Sequence, residues 1–512
     1  MSNDAYGGCN YKKTIIGLPE VSILNGNGFA GISNSINTEL HLSSITIYNF
    51  NKVPPYGSVD NGAGLYFSGS YASLHFDGNV NIISNTISGG GSSFQTYGGD
   101  AAGVCISNSN LIASSVTINF IANKSSDASG AALYFNGSKV NFFNDKILFQ
   151  DNEAGDEGAA LWAWDNANLY FTNSSVTFLR NKADMIATHS ATTNPNPLGI
   201  GGAISIKRPS ANIYFEGTSE VEFISNTARN GGAIYGAGTI NFDCSSVLFS
   251  GNVASSSGGA IYMDGDPHDT KLIGVINLNS TNGDIIFKDN SAKGGDAAGH
   301  DIYFGRGRVN INGAAGKVAI YSGIAGTSEG TVEKSSSGLF VLGGKNEFFF
   351  GLFLQLGGTT TVIGEFFTGY SSIAANSVLE FSTGTVLGAG TIGLWDTGVM
   401  DITTPDDLTF SGQITGTDGT NINKPSSGTV RLLGNNRGFK GTFLQSSRTT
   451  KVETESGIAT YFAGLSSITN ESVLEIGDNG EFANEGEKIE LLTNGELRIT
   501  KSNGDLNLNG QV

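Results

Sequence analysis

The chain has 512 residues, a formal net charge of −18 at pH 7 and a sequence pI near 4.6. Glycine accounts for 73 residues, about twice its ordinary share, while charged residues make up only 14%. An acidic surface repels phosphate backbones and anionic lipids, so nucleic acid is excluded as a partner and direct membrane insertion is not expected. Hydrophobic residues form 39% of the chain, enough for a continuous core, which excludes a disordered chain.

Neither end of the chain shows a targeting or membrane segment. Ile15 and Ile16 are followed at once by Gly17, so the start lacks the apolar core of a signal peptide. The most apolar stretch, 348–356, is too short to span a bilayer as a helix. The three cysteines (Cys9, Cys105 and Cys244) cannot all pair and show no CxxC spacing, so they support neither a zinc site nor a disulfide framework.

Two short words alternate through residues 82–304. The word F-x-x-N stands at Phe120–Asn123, Phe149–Asn152, Phe178–Asn181, Phe223–Asn226, Phe249–Asn252 and Phe287–Asn290, with a degenerate copy at Ile82–Asn85. The word G-[GA]-A-[IL] stands at Gly130–Leu133, Gly158–Leu161, Gly201–Ile204, Gly231–Ile234 and Gly258–Ile261. Successive asparagines are 29, 29, 45, 26 and 38 residues apart from Asn123 onward. The long steps hold polar insertions around 192–197 and 264–269, which indicates loops on one face of a solenoid.

Each repeat divides into short strands. An apolar β-branched residue stands two positions before every repeated phenylalanine, which places both side chains on one face of a strand. Three strands per turn of 20–29 residues predict a parallel β-helix. The phenylalanines should stack along the coil at about 4.8 Å per turn. The asparagine at the next corner should adopt the left-handed conformation and pair its amide with copies above and below.

These words resemble the repeats of chlamydial-type polymorphic outer membrane proteins, which are autotransporter passengers. The resemblance covers about 82–304, with a weaker turn at Gly62–Phe67. It implies a right-handed β-helix displayed at a bacterial surface and used in adhesion. Two turns depart from the pattern, since Gly98–Gly103 and Gly294–Gly299 both read GGDAAG, and their corners should be more polar or more open.

The last two hundred residues contain a longer duplication. Gly338–Asn346 aligns with Gly428–Asn436, and Gly351–Gln355 with Gly441–Gln445, at an offset of 90 residues. After an indel the offset becomes 95, as between Ser371–Ile373 and Ser466–Ile468. The stretch is similar to autotransporter passenger repeats, and ninety residues correspond to about four turns of coil.

The sequence therefore predicts an all-β protein, a right-handed parallel β-helix built as a single-stranded solenoid of about twenty turns. Residues 1–45 should form entry or capping turns, 46–305 the first repeat region, and 306–512 the passenger-type region. Because Val512 falls within a repeat, the expected protein is a passenger segment whose full-length form includes a translocator barrel. A complete cytosolic protein is the alternative.

Two sequence motifs imitate known functional loops. Gly26–Gly31 matches GxGxxG, and Gly326–Gly330 matches the GxSxG of hydrolases. Both motifs require a helix to follow, and neither is followed by a helical pattern. A turn between strands is the preferred interpretation of each.

Acidic and histidine side chains are the candidate metal ligands of the sequence. Asp151, Glu153, Asp156 and Glu157 fall in one loop and could offer oxygens to Ca²⁺, with a solvated corner as the alternative. Asp264, Asp266, His268 and Asp269 mark a loop expected to be solvated. The other histidines, His41, His75, His189 and His300, are scattered in the sequence. We therefore predict no catalytic, cofactor-binding or metal-binding residue and no cofactor.

Two classes of function remain. The first is a non-enzymatic cell-surface passenger, an adhesin or structural rod whose partners are protein or glycan molecules of a host or neighbouring cell. The second is a β-helical polysaccharide lyase or hydrolase, which needs carboxylates at neighbouring outward positions on three adjacent turns. The strand positions are mostly Ser, Thr, Asn and Tyr, which favours the passenger.

Overall fold

The computed structural model describes residues 11–16, 23–26, 31–35, 38–52, 63–70, 72–87, 101–126, 129–183, 199–265, 272–313, 315–383, 386–387, 390–454, 458–482 and 488–501. These residues form strands joined by turns, and their one helical element is a 3₁₀ turn at Asp296–Ala298. The chain divides into two compact units, Met1–Gly307 and Arg308–Val512. In both units the strand ladders are parallel, which confirms the all-β parallel β-helix.

In the first unit each turn passes through face I, face II, a short corner strip and face III, in that order. The strands of face I are Tyr11–Ile16, Thr38–Ser43, Ser73–Phe76, Asn110–Ser114, Lys139–Phe143, Asn168–Thr172, Asn212–Glu216, Thr239–Asp243 and Gly274–Asn279. Those of face II are Ile23–Asn25, Ile45–Tyr48, Val80–Ile83, Thr117–Ile121, Lys146–Gln150, Ser175–Leu179, Glu220–Ile224, Ser246–Ser250 and Ile285–Lys288. The corner strip consists of Asn51–Lys52, Thr86–Ile87, Lys124–Ser125, Glu153–Ala154, Lys182–Ala183, Thr227–Asn230, Val253–Ser257 and Ser291–Ala292. Those of face III are Ile32–Ser35, Leu65–Ser68, Val104–Ser107, Leu133–Asn136, Leu161–Ala163, Ile204–Ile206, Ile234–Gly236, Ile261–Met263 and Ile302–Phe304.

The repeated phenylalanines form the predicted ladder inside face II. All six are fully buried, and neighbouring ring centroids are 4.4–4.9 Å apart with planes within 5° of parallel. A second ladder lies inside face I, where Phe142, Phe171, Phe215 and Phe242 stack at 4.9–5.1 Å. The two ladders meet edge to face, as between Phe223 and Phe242 at 6.2 Å. The core of this unit therefore contains two interlocked columns of aromatic rings.

The repeated asparagines form a continuous amide ladder at the corner strip. Each Nδ2 donates to the Oδ1 of the asparagine one turn further on, at 2.9–3.0 Å from Asn85 to Asn290. The same Nδ2 donates its second hydrogen to a backbone carbonyl of the preceding turn, as Asn226 does to Phe178 at 2.9 Å. The ladder ends where the Nδ2 of Asn290 donates to the buried carboxylate of Asp301 at 2.8 Å. The amides thus satisfy one another in an interior without room for other partners.

The ladder asparagines do not adopt the predicted left-handed conformation. That conformation belongs to the residue just before each asparagine, such as Ala122, Asp151 and Arg180, whose φ values are 52–53°. The asparagine side chain must point inward to reach the next amide, so the preceding residue makes the turn. Because the side chain of this preceding residue points outward, packing does not select its residue type.

The glycines that begin the G-[GA]-A-[IL] word allow the tight corner between the corner strip and face III. Gly231 has φ +64°, and a Cβ on Gly232 would lie 2.1 Å from the carbonyl oxygen of Gly259 in the next turn. In the turn containing GGDAAG at 294–299, the corner is formed instead by 299–302, because Ile302 pairs with Ile261. The buried Ile302 therefore sets the register of this turn, and the extra residues before the corner include the 3₁₀ turn Asp296–Ala298. Gly98 lies outside the described residues; the equivalent corner there is 101–104.

The second unit has three main faces of its own. Face IV contains Gly307–Asn312, Gly330–Lys334, Leu352–Gln355, Tyr370–Ile373, Thr391–Leu394 and Gln413–Gly416. Face V contains Lys317–Ile320, Leu339–Leu342, Gly358–Val362, Ser377–Phe381, Val399–Ile402, Asn421–Lys424, Thr442–Gln445, Leu465–Ile468 and Lys488–Leu491. Face VI contains Val386–Leu387, Leu408–Phe410, Val430–Leu432, Thr449–Val452, Val473–Ile476 and Glu496–Ile499. The remaining short strands are Ile324–Gly326, Ala459–Thr460 and Gly480–Glu481.

The duplicated segments of this unit lie on different faces. Strand pairing connects Val332 to one residue in each of the next four turns, namely Phe353, Ser371, Ile392 and Ile414. Four turns therefore take 82 residues. The 90-residue offset exceeds this by about one strand, which moves the second copy to the next face. Leu352–Gln355 accordingly lies on face IV and its counterpart Thr442–Gln445 on face V. The expected interval of about four turns is therefore corrected to four turns and one strand.

Two lysines related by this offset are buried at equivalent corners. The Nζ of Lys334 donates to the carbonyls of Ser336 and Gly357 at 2.6 and 2.8 Å. The Nζ of Lys424 donates in the same way to Ser426 and Ser447. Burial lowers the pKa of each amine to about 8.

Because of these two buried lysines, the free energy of unfolding should change with pH in the alkaline range. Below about pH 8 each lysine is charged whether the chain is folded or unfolded. Between about pH 8 and pH 10 the unfolded chain binds more protons, so the free energy of unfolding should rise with pH. Chemical denaturation of the wild type and of the double variant Lys334→Met, Lys424→Met checks this, because other titrating groups are common to both. Parallel pH profiles would contradict it.

The two described cysteines are free, as predicted, and both are buried. Register along face III places Cys105 four turns from Tyr235, in the turn that leads to Cys244. Four turns of about 4.8 Å exceed the reach of a disulfide. Burial raises the pKa of Cys244 to about 12. Cys9 lies outside the described residues.

Cys105 and Cys244 should therefore react with a thiol reagent only after denaturation, because their sulfur atoms are inaccessible and Cys244 is not ionised near neutral pH. Thiol counting on the chain with and without denaturant measures this. An intramolecular bridge between the two, found by peptide mapping, would contradict the stacking order of the turns.

Candidate functional site

The outward column of face III is mainly aromatic. It comprises Tyr66, Cys105, Tyr134, Trp162, Ser205, Tyr235, Tyr262 and Tyr303. The rings of Tyr134 and Trp162 are 4.8 Å apart, and those of Tyr262 and Tyr303 are 5.2 Å apart. Tyr134 and Trp162 are only 3% and 6% exposed, so this part of the column is not an open platform for a receptor.

A buried ion pair interrupts the column at Ser205. Glu157, 3% exposed at its side chain, forms an ion pair with Lys207 and accepts a hydrogen bond from Ser205 at 3.4 Å. Neighbouring Asp156 has its pKa raised to about 7, chiefly by burial and further by the charge of Glu157. Lys207 thus pairs with Glu157, and its charge also favours the ionised form of Asp156.

The structure separates the four carboxylates of the acidic loop. Asp151 accepts two hydrogen bonds from the guanidinium of Arg180 at 2.8 and 2.9 Å, which lowers the pKa of that carboxyl. Glu153 pairs with Lys124 at 3.0 Å. Asp156 and Glu157 lie with Lys207, so the four carboxylates are divided among three cations.

Calcium should therefore leave the melting temperature of the metal-free chain unchanged, because each exposed carboxylate of 151–157 already faces its own cation. Thermal unfolding with and without Ca²⁺, with Mg²⁺ as the control, measures this. A rise of several degrees with Ca²⁺ alone would show that the loop binds it.

Asp264 lies at the end of face III with partners of its own. Its Oδ2 accepts a hydrogen bond from the hydroxyl of Tyr235 at 3.1 Å, and its Oδ1 lies 3.6 Å from the Nε of Arg306. Burial, reinforced by Asp264, raises the pKa of Tyr235 well above its usual value. Asp266, His268 and Asp269 lie outside the described residues.

Two of the histidines are not scattered in space. His41 and His75 stand at paired positions on adjacent strands of face I, with ring centroids 4.4 Å apart. No repeated word predicts this pair, although Leu40-His41-Leu42 and Leu74-His75-Phe76 occupy the same place in successive turns. His300 lies elsewhere, where its Nδ1 accepts the amide of Ala292 at 3.0 Å. His189 is outside the described residues.

The GxSxG match at Gly326–Gly330 is a turn between two strands. It joins Ile324–Gly326 to Gly330–Lys334, and the amide of Gly330 donates to the carbonyl of Thr327 at 3.3 Å. The hydrolase motif needs a helix at this point, so the interpretation as a turn is confirmed. Residues 27–30 of the GxGxxG match lie outside the described residues.

The outward columns of faces I and II are mostly Asn, Tyr, Thr and Ser. Asn212 donates to Asn168 at 3.1 Å, and the rings of Tyr170 and Tyr214 stack at 4.7 Å. On face I, Glu216 and Asp243 are a carboxylate pair on adjacent turns. Thr172 precedes them in that column, so the pair does not extend to a third turn in that direction.

Three exposed aromatic side chains lie within or next to the strands of face IV. Phe350, Tyr370 and Trp395 are 53%, 42% and 40% exposed. A Cβ on Gly393 would lie 2.9 Å from both the Tyr370 hydroxyl and the Trp395 Nε1, so this glycine makes room for both rings. Tyr370 also pairs in register with Leu352. We call these residues the face IV patch; exposed apolar groups of this kind mark interaction surfaces.

The repeats match a family of bacterial membrane proteins. Residues 220–237 and 246–264 match the model of the Chlamydia polymorphic membrane protein repeat, which confirms the resemblance drawn from the two words. The chain is 30% identical over 184 residues to "Probable outer membrane protein PmpG" of Chlamydia muridarum, covering 34% of this chain and 18% of that relative. It is 31% identical over 170 residues to "Probable outer membrane protein pmp19" of Chlamydia pneumoniae, covering 32% and 16%. The chain thus spans less than a fifth of the length of these relatives.

No solved structure matches the chain significantly. Among the described residues there is no helix of the length and hydropathy that crossing a membrane would require.

Proposed function

We propose that this chain is a non-enzymatic passenger segment at the surface of a bacterial cell, where it binds protein or glycan molecules of a host or neighbouring cell. The observation that carries the proposal is the repeat itself, which is shared with proteins named as outer membrane proteins. Their names support an outer-membrane or cell-surface location.

The interior of the first unit supports this role. Its aromatic and amide ladders are buried and satisfied within the coil, so its repeats leave their outward side chains free to vary without loss of the core. A coil of this type holds surface residues at fixed spacing, which reduces the ordering cost when a partner binds.

The face IV patch is the surface that we assign to binding. Its aromatic side chains are exposed while their backbone is fixed by pairing with neighbouring turns. Rigid aromatic anchors provide contact area at low conformational cost.

Adhesion of coated beads tests the proposal. Beads carrying the purified chain should adhere to animal cells or to an immobilised glycan, and the double variant Tyr370→Ala, Trp395→Ala should lose most of this adhesion. Tyr321→Ala is the matched control, because Tyr321 is 39% exposed but directly follows Lys317–Ile320, a strand of face V. Unchanged adhesion by the double variant would assign binding to another surface. Absence of adhesion, together with resistance of the protein to protease on intact cells, would contradict the function.

A further inference from the structure

The strands around the face IV patch present an uncharged outer surface. Strand pairing holds four successive strands in register, from Leu352–Gln355 to Gln413–Gly416. Their outward positions are all uncharged, namely Leu352, Leu354, Tyr370, Ser372, Thr391, Gly393, Gln413 and Thr415. The strand before them does carry charge, since Glu333 lies 3.4 Å from Arg308. A chain with a net charge of −18 therefore keeps this area neutral.

Two hydrogen-bonding groups of the patch converge over Gly393. The Tyr370 hydroxyl and the Trp395 Nε1 would each lie 2.9 Å from a Cβ at this position, so the two groups are no more than about 6 Å apart. The backbone of Trp395 is held in place, because its N–H donates to the carbonyl of Ile373 at 2.9 Å. Within the described part of the chain, neither the hydroxyl nor the indole N–H takes part in a protein hydrogen bond. Both groups can therefore bond to a ligand that lies on the rings.

This combination favours a sugar ring over an apolar protein side chain. The faces of aromatic rings are negative and attract the C–H groups of a pyranose, while its hydroxyls can bond to the O–H and N–H groups. An apolar side chain in the same place would cover both polar groups without giving them a partner, which costs free energy.

The charges beside the patch favour a neutral sugar. Asp396, which directly follows Trp395, is exposed and acidic. Its carboxylate and the negative charge of the chain as a whole disfavour sialylated and sulfated glycans.

We propose that the face IV patch binds a neutral glycan, with Tyr370 and Trp395 stacking on a sugar ring while their Oη and Nε1 atoms bond to its hydroxyls. This inference rests on the proposed function and names the ligand class of the same surface. Gly393 is the positioning residue, because a side chain there would push the two polar groups away from their common point.

Tryptophan fluorescence of the purified chain tests the proposal. Trp395 is the exposed one of the chain's three tryptophans, since Trp162 and Trp164 are buried. Titration with lactose, N-acetyllactosamine, mannotriose, maltotriose and chitotriose should give a saturable change in the emission of Trp395 with at least one of them. The sialylated or sulfated counterpart of that sugar should bind at least tenfold more weakly. Absence of a response to every neutral sugar of the panel would overturn the proposal.

Gly393→Ala distinguishes a glycan from an apolar ligand. The φ of Gly393 is not in the left-handed region, and the atoms nearest to the new Cβ belong to two exposed side chains, so the fold should be retained. The variant should bind the sugar at least tenfold more weakly with an unchanged circular dichroism spectrum, whereas Tyr321→Ala should bind it as the wild type does. A ligand held by apolar contact alone would bind Gly393→Ala at least as tightly as the wild type, which would contradict the proposal.

Periodate treatment of the target cells separates this proposal from the proposed function. Mild periodate cleaves the vicinal diols of cell-surface glycans and should abolish the adhesion that depends on Tyr370 and Trp395. Adhesion that survives periodate but is lost in the double variant Tyr370→Ala, Trp395→Ala would assign the patch to a protein ligand, which overturns glycan binding and leaves the proposed function intact. Sugar binding in the titration without adhesion to cells would contradict the proposed function alone.

Discussion

Replacing Asn226 by leucine should lower the free energy of unfolding of the first unit by more than about 3 kcal/mol. The substitution leaves the Nδ2 and backbone N–H of Asn181, and the carbonyl of Phe178, without the partners that Asn226 supplies. Each buried group that loses its partner costs about 1–3 kcal/mol, and the loss occurs inside a chain of mutually polarised amides. Chemical denaturation measures the change.

An asparagine on the outer surface of the coil, which also donates to an asparagine of the neighbouring turn, provides the control. Asn212 donates to Asn168 on the outward column of face I, where water can replace the bond. Asn212→Leu should therefore change the free energy of unfolding by less than about 0.5 kcal/mol. Equal effects of the two substitutions would show that the amide ladder does not stabilise the fold.

Replacing Phe223 by alanine should cost about 3–5 kcal/mol. Its ring stacks on Phe178 at 4.7 Å and on Phe249 at 4.6 Å. The turns above and below are fixed by strand pairing, so they cannot collapse into the space that the ring leaves. Thermal and chemical unfolding of the variant measure the loss.

Phe143→Ala is the matched control for this prediction. Phe143 is 46% exposed at the end of a face I strand, whereas its neighbour Phe142 is buried in the second ladder. The control should lose less than about 1 kcal/mol. A loss at Phe223 no larger than at Phe143 would contradict a close-packed aromatic core.

Residues with a fixed periodic role were predictable from the sequence. The phenylalanines and asparagines recur because each must meet its own copy in the next turn, so their spacing measures the turn. The second ladder could have been found in the same way, since Phe142 and Phe171 each precede a ladder phenylalanine by seven residues. The face on which a duplicated segment lies depends on the exact length of each turn, which composition does not show.

The polar sites were less predictable, because they depend on contacts across insertions. Glu157 and Lys207 are 50 residues apart, with the insertion 184–198 between them, and no repeated word relates them. The left-handed residue before each asparagine has no preferred identity, so it leaves no pattern. His41 and His75 do leave one, but it appears only when the turns are aligned on their buried leucines.

A designed disulfide tests most directly whether strands on either side of an insertion are neighbours in the coil. Thr177 pairs with Glu222, 45 residues later, although the step between most neighbouring turns is shorter. In a background in which Cys9, Cys105 and Cys244 are replaced, Thr177→Cys with Glu222→Cys should oxidise readily, since adjacent parallel strands place Cα atoms about 4.8 Å apart. Thr177→Cys with Ile206→Cys, at the regular 29-residue spacing, should not form the bridge. A bridge in the second pair and none in the first would contradict the stacking of these turns.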